Sequence, residues 1–259
     1  MKTLAVIAIF LPLFALSGCG SSRLECYPDF LKGKNTLGEI TILADCMFID
    51  ALMGDTSEID VPENSEMGLE VLQQCAEKLR IKGYKVGNTV LSSIGLLMNQ
   101  NQLYKIVRSA DERHTDKNDL SLQHAPFYLD QQVAKDSSLQ LTLAYVYSSL
   151  INSKQKQDTF RTIIPEAVGI GKAVGSATIM VVLVGGMNIP AGKGTTTVNT
   201  GFTRDVVGMQ QVSQVSARFY FINTKNGELI WDDRKFRQGG IVYPDKVNSM
   251  IGSMLDELP

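Results

Sequence analysis

Residues 40–49, Ile-Thr-Ile-Leu-Ala-Asp-Cys-Met-Phe-Ile, read as a strand buried on both faces of a sheet. Ile40, Ile42, Ala44 and Cys46 point one way while Leu43, Met47 and Ile49 point partly the other, as expected where helices cover both sides. A polar loop over 50–63, with Gly54, Asp55, Asp60 and Pro62, leads to a helix starting near Asn64 or Ser65, either of which can cap its first free amides. Leu69, Leu72, Ala76 and Leu79 form one stripe of that helix, Val71 and Cys75 lie at its edge, and Gly83 stops it. Residues 84–91 read as the next strand. Strand, helix and strand in this order predict a parallel pair with a right-handed crossover, and therefore an α/β fold class.

Further along, Ile94, Leu97, Met98, Ile106 and Val107 predict one or two helical stretches, which end in the polar segment 109–119. A helix over 126–135 carries Phe127, Leu129 and Val133. Leu139, Leu141, Leu143, Tyr145 and Tyr147 then alternate with Gln140, Thr142, Ala144, Val146 and Ser148, a period of two that predicts a strand. The same alternation over 215–222, followed by the turn pair Asn226-Gly227 and residues 228–231, predicts a hairpin. Val247, Met250, Ile251, Met254, Leu255 and Leu258 fall at helical spacing behind Pro244 and close the chain with a helix. One α/β domain over 38–259 is expected, with central strands 40–49, 139–147 and 215–222; the competing view is two domains divided near residue 155.

With 259 residues and 44% apolar composition, the chain can bury a large core, which excludes a disordered protein. Its 25 Lys and Arg against 27 Asp and Glu lack the basic excess of a nucleic-acid surface. Gly192-Lys193-Gly194-Thr195 fails as a phosphate loop, because Met187 stands where the first glycine belongs and Gly194 follows the lysine. Gly169, Gly171 and Gly175 miss the dinucleotide spacing by one residue. No serine sits in a nucleophile-elbow pattern, and His114 and His124 lie in polar surroundings. Asp232-Asp233 and Asp256-Glu257 are sequence neighbours and read as solvated charge. No catalytic residues, cofactor or metal ligands emerge, and a non-enzyme is expected.

At the N-terminus, Lys2 precedes an apolar run over 4–16 that is shorter than the roughly 20 residues of a membrane span. Leu16-Ser17-Gly18-Cys19 follows and resembles the lipobox of bacterial lipoproteins, in which the cysteine thiol receives diacylglycerol before cleavage. The resemblance implies a signal peptide over 1–18, lipidation at Cys19 and a body facing the periplasm. Gly20 in place of Asp implies sorting to the outer membrane. Residues 19–37 read as a tether. In an oxidising compartment Cys26, Cys46 and Cys75 are either buried thiols or include a Cys46–Cys75 or Cys26–Cys46 bridge.

Residues 173–190 carry no charge over 18 positions. This stretch reads as a buried helix or strand, as a surface that packs on another subunit or enters a membrane as a hairpin, or as a single membrane helix. Its centre, with Ile179, Val181, Val182 and Val184, is the candidate contact for a partner or a second copy.

The strand with its capped helix, the Gly83-Tyr84 turn, residues 134–143, and the hairpin 218–231 with Asn226-Gly227-Glu228-Leu229-Ile230-Trp231 resemble the curli-secretion-channel (CsgG-like) lipoproteins and the N-terminal domain of TolB. The resemblance covers roughly 38–150 and 213–258. It implies an anticodon-binding-like mixed sheet flanked by helices, here with an inserted segment near 159–212. It further implies envelope assembly or secretion work through envelope proteins or self-association, without cofactor. The alternative it raises is an oligomeric pore that inserts residues 173–212.

Overall fold

The stretch 40–49 lies inside β2 (Glu39–Ala51), a strand flanked on both sides by parallel neighbours. The computed structural model describes residues 21–26, 37–51, 56–96, 106–109, 126, 128–152, 162–188, 213–238 and 244–258. Asp60 caps helix α1 (Val61–Ile81) by accepting the Glu63 amide at 2.8 Å, and Pro62 fits the first turn, where no amide donor is needed. The helix thus starts earlier than expected. Asn64 does other work: its Oδ1 accepts the Phe48 amide at 2.5 Å, and its Nδ2 donates to the Phe48 carbonyl at 3.1 Å. This pins the first turn of α1 to β2. Met67, Val71, Leu72, Cys75, Ala76 and Leu79 are buried, but Leu69 falls on the outer face and is 59% exposed.

After α1 the chain enters β4 (Lys85–Ile94), parallel to β2 as predicted. Two short strands lie near by: β3 (Thr56–Ile59), antiparallel to the end of β2, and β5 (Ile106–Ser109), parallel to β3. Ile94, Ile106 and Val107 are therefore in strands, not helices. The helix expected over 126–135 is reduced to α2 (Gln131–Lys135), preceded by β6 (Tyr128–Leu129), which pairs with Ser93 and Ile94.

The predicted strand over 139–147 is instead helix α3 (Ser137–Asn152). The segment also carries a second, helical pattern, Leu143, Val146, Tyr147 and Leu150 at i, i+3, i+4 and i+7, and tertiary packing chooses it: these four are buried, while Leu141 and Tyr145 of the alternating set are exposed. Asp136 starts the helix by accepting the amides of Ser138 at 2.9 Å and Leu139 at 3.0 Å.

Helix α4 (Ala167–Val174) leads into β7 (Thr178–Asn188), which pairs parallel with β2 and antiparallel with β8 (Gln214–Asn223). β8 forms the expected hairpin with β9 (Glu228–Gln238), and α5 (Pro244–Glu257) closes the fold. The turn needs Gly227: its φ is +74°, and a Cβ there would stand 2.3 Å from the Ile164 carbonyl oxygen. β1 (Ser21–Cys26) adds an antiparallel strand along β9, so part of the expected tether belongs to the sheet.

Described strands run in the order β1-β9-β8-β7-β2-β3-β5, with β4 also on β2 and β6 on β4. The architecture is α/β with a mixed sheet. One face buries Ile42, Cys46, Val182, Phe219 and Trp231 with residues of α1 and α5; the other buries Leu43, Met47, Val181 and Leu183 with residues of α3 and α4. Far from being an insertion, residues 162–188 supply a helix and the strand that joins both halves of the chain. A pore hairpin over 173–212 would have to extract β7 from this core; residues 189–212 lie outside the described residues. No described helix is long and apolar enough to cross a membrane.

Val182 is fully buried between β2 and β8. Replacing it with Asp places an unpaired charge in this layer, at a cost of about 4 kcal/mol or more. The expected outcome is loss of cooperative melting by circular dichroism, rather than dissociation of a folded assembly.

Candidate functional site

β7 brings Ile179, Val181, Val182 and Val184 together, but as core. Each is 0% exposed: Ile179 and Val181 face the α3–α4 side, and Val182 and Val184 face the α1–α5 side. Their backbone is occupied by β2 and β8. The predicted contact surface is thus corrected, because a strand with both edges paired and both faces covered offers nothing to a partner. Cys19, Lys193, His114 and His124 fall outside the described residues.

The chemistry-bearing groups lie elsewhere in the sheet. Asp45 is fully buried on β2. Its Oδ2 accepts the Ser93 hydroxyl at 2.5 Å and the Leu96 amide at 3.0 Å. Gly95, with φ of +79°, bends the chain after β4 so that this amide turns back toward the carboxylate. Ser92 Oγ donates to the Ala44 carbonyl at 2.7 Å, which leaves the Tyr147 hydroxyl as the donor in their 2.6 Å bond. Oδ1 of Asp45 has no hydrogen-bond partner among the described residues. Burial pushes the Asp45 carboxyl up to about 6 against the pull of the Ser93 hydroxyl and the amides of Leu96 and Gly95. Burial, with the charge of Asp45 adding, also raises the Tyr147 hydroxyl.

Nearer the β1 edge, Asp232-Asp233 is not the solvated pair the sequence suggests. Asp232 is 6% exposed and Asp233 0%. As strand neighbours they point to opposite faces. Asp232 stands across from Tyr220 and next to the cross-strand pair Arg218 and Arg234. On that side the Tyr220 hydroxyl donates to the Leu150 carbonyl at 3.3 Å, and an Arg218 guanidinium nitrogen to the Ile151 carbonyl at 3.5 Å. Asp233 turns toward α5. Burial and the charge of Glu257 push it up to about 6, opposed by Lys235 and the Arg234 amide nearby. Neither of its oxygens has a hydrogen-bond partner among the described residues.

Asp256 and Glu257 are exposed, as read from the sequence, and meet Lys78 at 2.9 Å and Lys235 at 2.5 Å. Cys46 and Cys75 are buried free thiols, each pushed up by burial. No described group of three His, Cys, Asp or Glu is placed to hold a metal. Asp45, Ser92, Ser93 and Tyr147 can store a proton and fasten the end of β4 to β2 and α3. The missed signal was Asp45 itself, the single charge inside an otherwise uncharged run.

No protein-family model and no curated protein matches this chain. Among solved structures it is similar to a PelC dodecamer from Paraburkholderia phytofirmans in space group P6, at 10% identity and a TM-score of 0.37, covering 91% of this chain and 94% of that one. A leucine-to-methionine variant of the same dodecamer, in space group C2, gives 11% identity and a TM-score of 0.36 over 91% and 95% of the two chains.

Because folding raises the Asp45 pKa, the folded chain holds this proton more tightly than the unfolded one. The stability it contributes is full below the ordinary carboxylate range and is lost as pH rises through about 6. Asp45→Asn removes this dependence. In urea melts, its advantage over the parent is expected to grow from near zero at about pH 4 to about 2 kcal/mol at about pH 7.

Proposed function

We propose that the chain is an outer-membrane-anchored periplasmic lipoprotein, a non-enzymatic accessory of envelope assembly or secretion that works through protein contacts. Its fold is read as anticodon-binding-like, of the kind used by the curli-secretion-channel lipoproteins and the TolB N-terminal domain. The carrying observation is Leu16-Ser17-Gly18-Cys19 in register behind the apolar run. β1 begins at Ser21, so cleavage before Cys19 takes away no described element of the sheet. Two acyl chains at such a terminus give stable anchoring where one is marginal.

The partner is an envelope protein or a second copy, and nucleic acid is not a partner. With residues 179–184 in the core, support for a protein contact moves to α3. Its 16 residues include no Asp, Glu, Lys or Arg, and Leu141 and Tyr145 are 57% and 56% exposed on it. An uncharged surface of this kind meets another protein without desolvating ions.

Cys19→Ala should leave an uncleaved, unacylated precursor that is lost from the outer-membrane fraction, read by intact mass and sucrose-gradient fractionation. An unchanged mature mass and unchanged fractionation would overturn the assignment.

A further inference from the structure

We propose that Asp233, Lys235 and Glu257 form a proton-controlled latch between β9 and the last turn of α5, in which the proton on Asp233 decides whether Lys235 holds the helix or the strand. Asp233 and Lys235 are two residues apart on β9, so both belong to the α5 face and stand about 7 Å apart along it. The Lys235 ammonium reaches the helix, donating to Ser253 Oγ at 3.1 Å and to Glu257 Oε1 at 2.5 Å. Ser253 is left as an acceptor, because its own proton goes to the Met250 carbonyl at 2.7 Å. Asp233 is 0% exposed, and neither of its oxygens has a hydrogen-bond partner among the described residues. One lysine therefore stands between two carboxyl groups and is engaged by the outer one.

A dry carboxyl without donors is tolerated as the neutral acid and is costly as the anion. On β8 the neighbouring positions are Ala217, Phe219 and Phe221, and on β1 Leu24 pairs with Asp233; none of these titrates. From α5, Glu257 opposes ionisation, while Asp256 is engaged by Lys78 of α1 at 2.9 Å. On β9 itself, Lys235 and the Arg234 amide favour the anion, and the side chains of Asp232 and Arg234 alternate to the other face. Burial and Glu257 prevail, as the raised Asp233 carboxyl shows.

Once Asp233 gives up its proton, Lys235 is the cation placed to neutralise it, and its flexible stem spans the distance. In turning to Asp233 it leaves Ser253 and Glu257. The helix keeps its hold on α1, through Lys78 to Asp256 and through Lys82 to the carbonyls of Asp256 and Leu258. The last turn of α5 thus parts from β9 while the rest of the helix stays seated. Because the latched form raises the Asp233 pKa, the latch is complete below the ordinary carboxylate range and is lost as pH rises through about 6. Pairing with Lys235 favours the anion, so the midpoint of release lies at or below that value. A carboxyl raised from about 4 to about 6 changes the ratio of latched to released molecules by about a hundredfold over that range.

The test follows the full-length protein from pH 4 to pH 8 by two readouts. Trp231, the one tryptophan of the chain, lies buried on the same face of β9, two residues before Asp233, so its emission reads the ionisation. Hydrogen exchange of residues 253–257, corrected for base catalysis, reads release of the helix end. Both should change together with a midpoint at or below about pH 6. Asp233→Asn should keep the helix end protected at every pH, and Lys235→Met should leave it unprotected throughout. Glu257→Gln, at an exposed position, removes the repulsion and frees Lys235, so the midpoint should move to lower pH. Asp45→Asn, on the opposite face, should leave both readouts as in the parent.

Flat traces in the parent, a tryptophan transition without loss of protection, or a transition that persists in Asp233→Asn would each overturn the latch. So would an unmoved midpoint in Glu257→Gln. Far-ultraviolet circular dichroism checks the fold of each variant; if Asp233→Asn does not fold, the parent titration and Glu257→Gln decide.

Discussion

β7 is the element on which the remaining structure depends. Residues 179–184 are fully buried, and burial of each large apolar side chain is worth about 1.5–3 kcal/mol relative to exposure. That gain requires its backbone groups to be paired on both sides, since a dry unpaired amide or carbonyl would offset it. β2 supplies a parallel edge and β8 an antiparallel one. The strand therefore joins the βαβ half of the chain to the hairpin half. Both helix layers follow, α1 and α5 covering one face while α3 and α4 cover the other.

The strand–helix–strand unit, the hairpin and the last helix were legible because each carries one unambiguous period and a local stop or turn. α3 was not. Leu139, Leu141, Leu143, Tyr145 and Tyr147 alternate as in a strand, yet Leu143, Val146, Tyr147 and Leu150 lie on one helical face, and only packing against β2, β7 and β8 separates the two readings. Asp136 before a serine pair was the local sign of a helix start. For 173–190, composition gave burial as one reading but could not place the run between two strands far away in sequence. The candidate site was less readable still. A carboxylate in an apolar strand looks like a face toward water until Ser93 and the Leu96 amide are seen to accompany it inside.

The polar groups of the sheet are divided by what accompanies them. Asn64 and Ser92 bind backbone across neighbouring elements and hold α1, β2 and β4 in place. Asp45 has its bonds on one oxygen only, and Asp233 has none among the described residues, so both are easier to bury protonated than charged. Apolar packing provides most of the stability of the sheet, and these two carboxyls make part of it respond to pH.

The contact of Gly227 with Ile164 bears on the order of folding. The Ile164 amide donates to the Gly227 carbonyl at 2.7 Å, and the Leu229 amide to the Thr162 carbonyl at 2.9 Å. These bonds join chain segments more than 60 residues apart, whereas the β8–β9 turn closes within a few residues. The entropy of closing the long loop is recovered only if its docking point already has the correct shape, and that shape is the left-handed glycine turn. The docking of the segment that leads into α4 therefore depends on the hairpin turn having this shape. The glycine turn thus couples a short-range closure, the β8–β9 hairpin, to a long-range one, the seating of the segment that leads into α4 and β7.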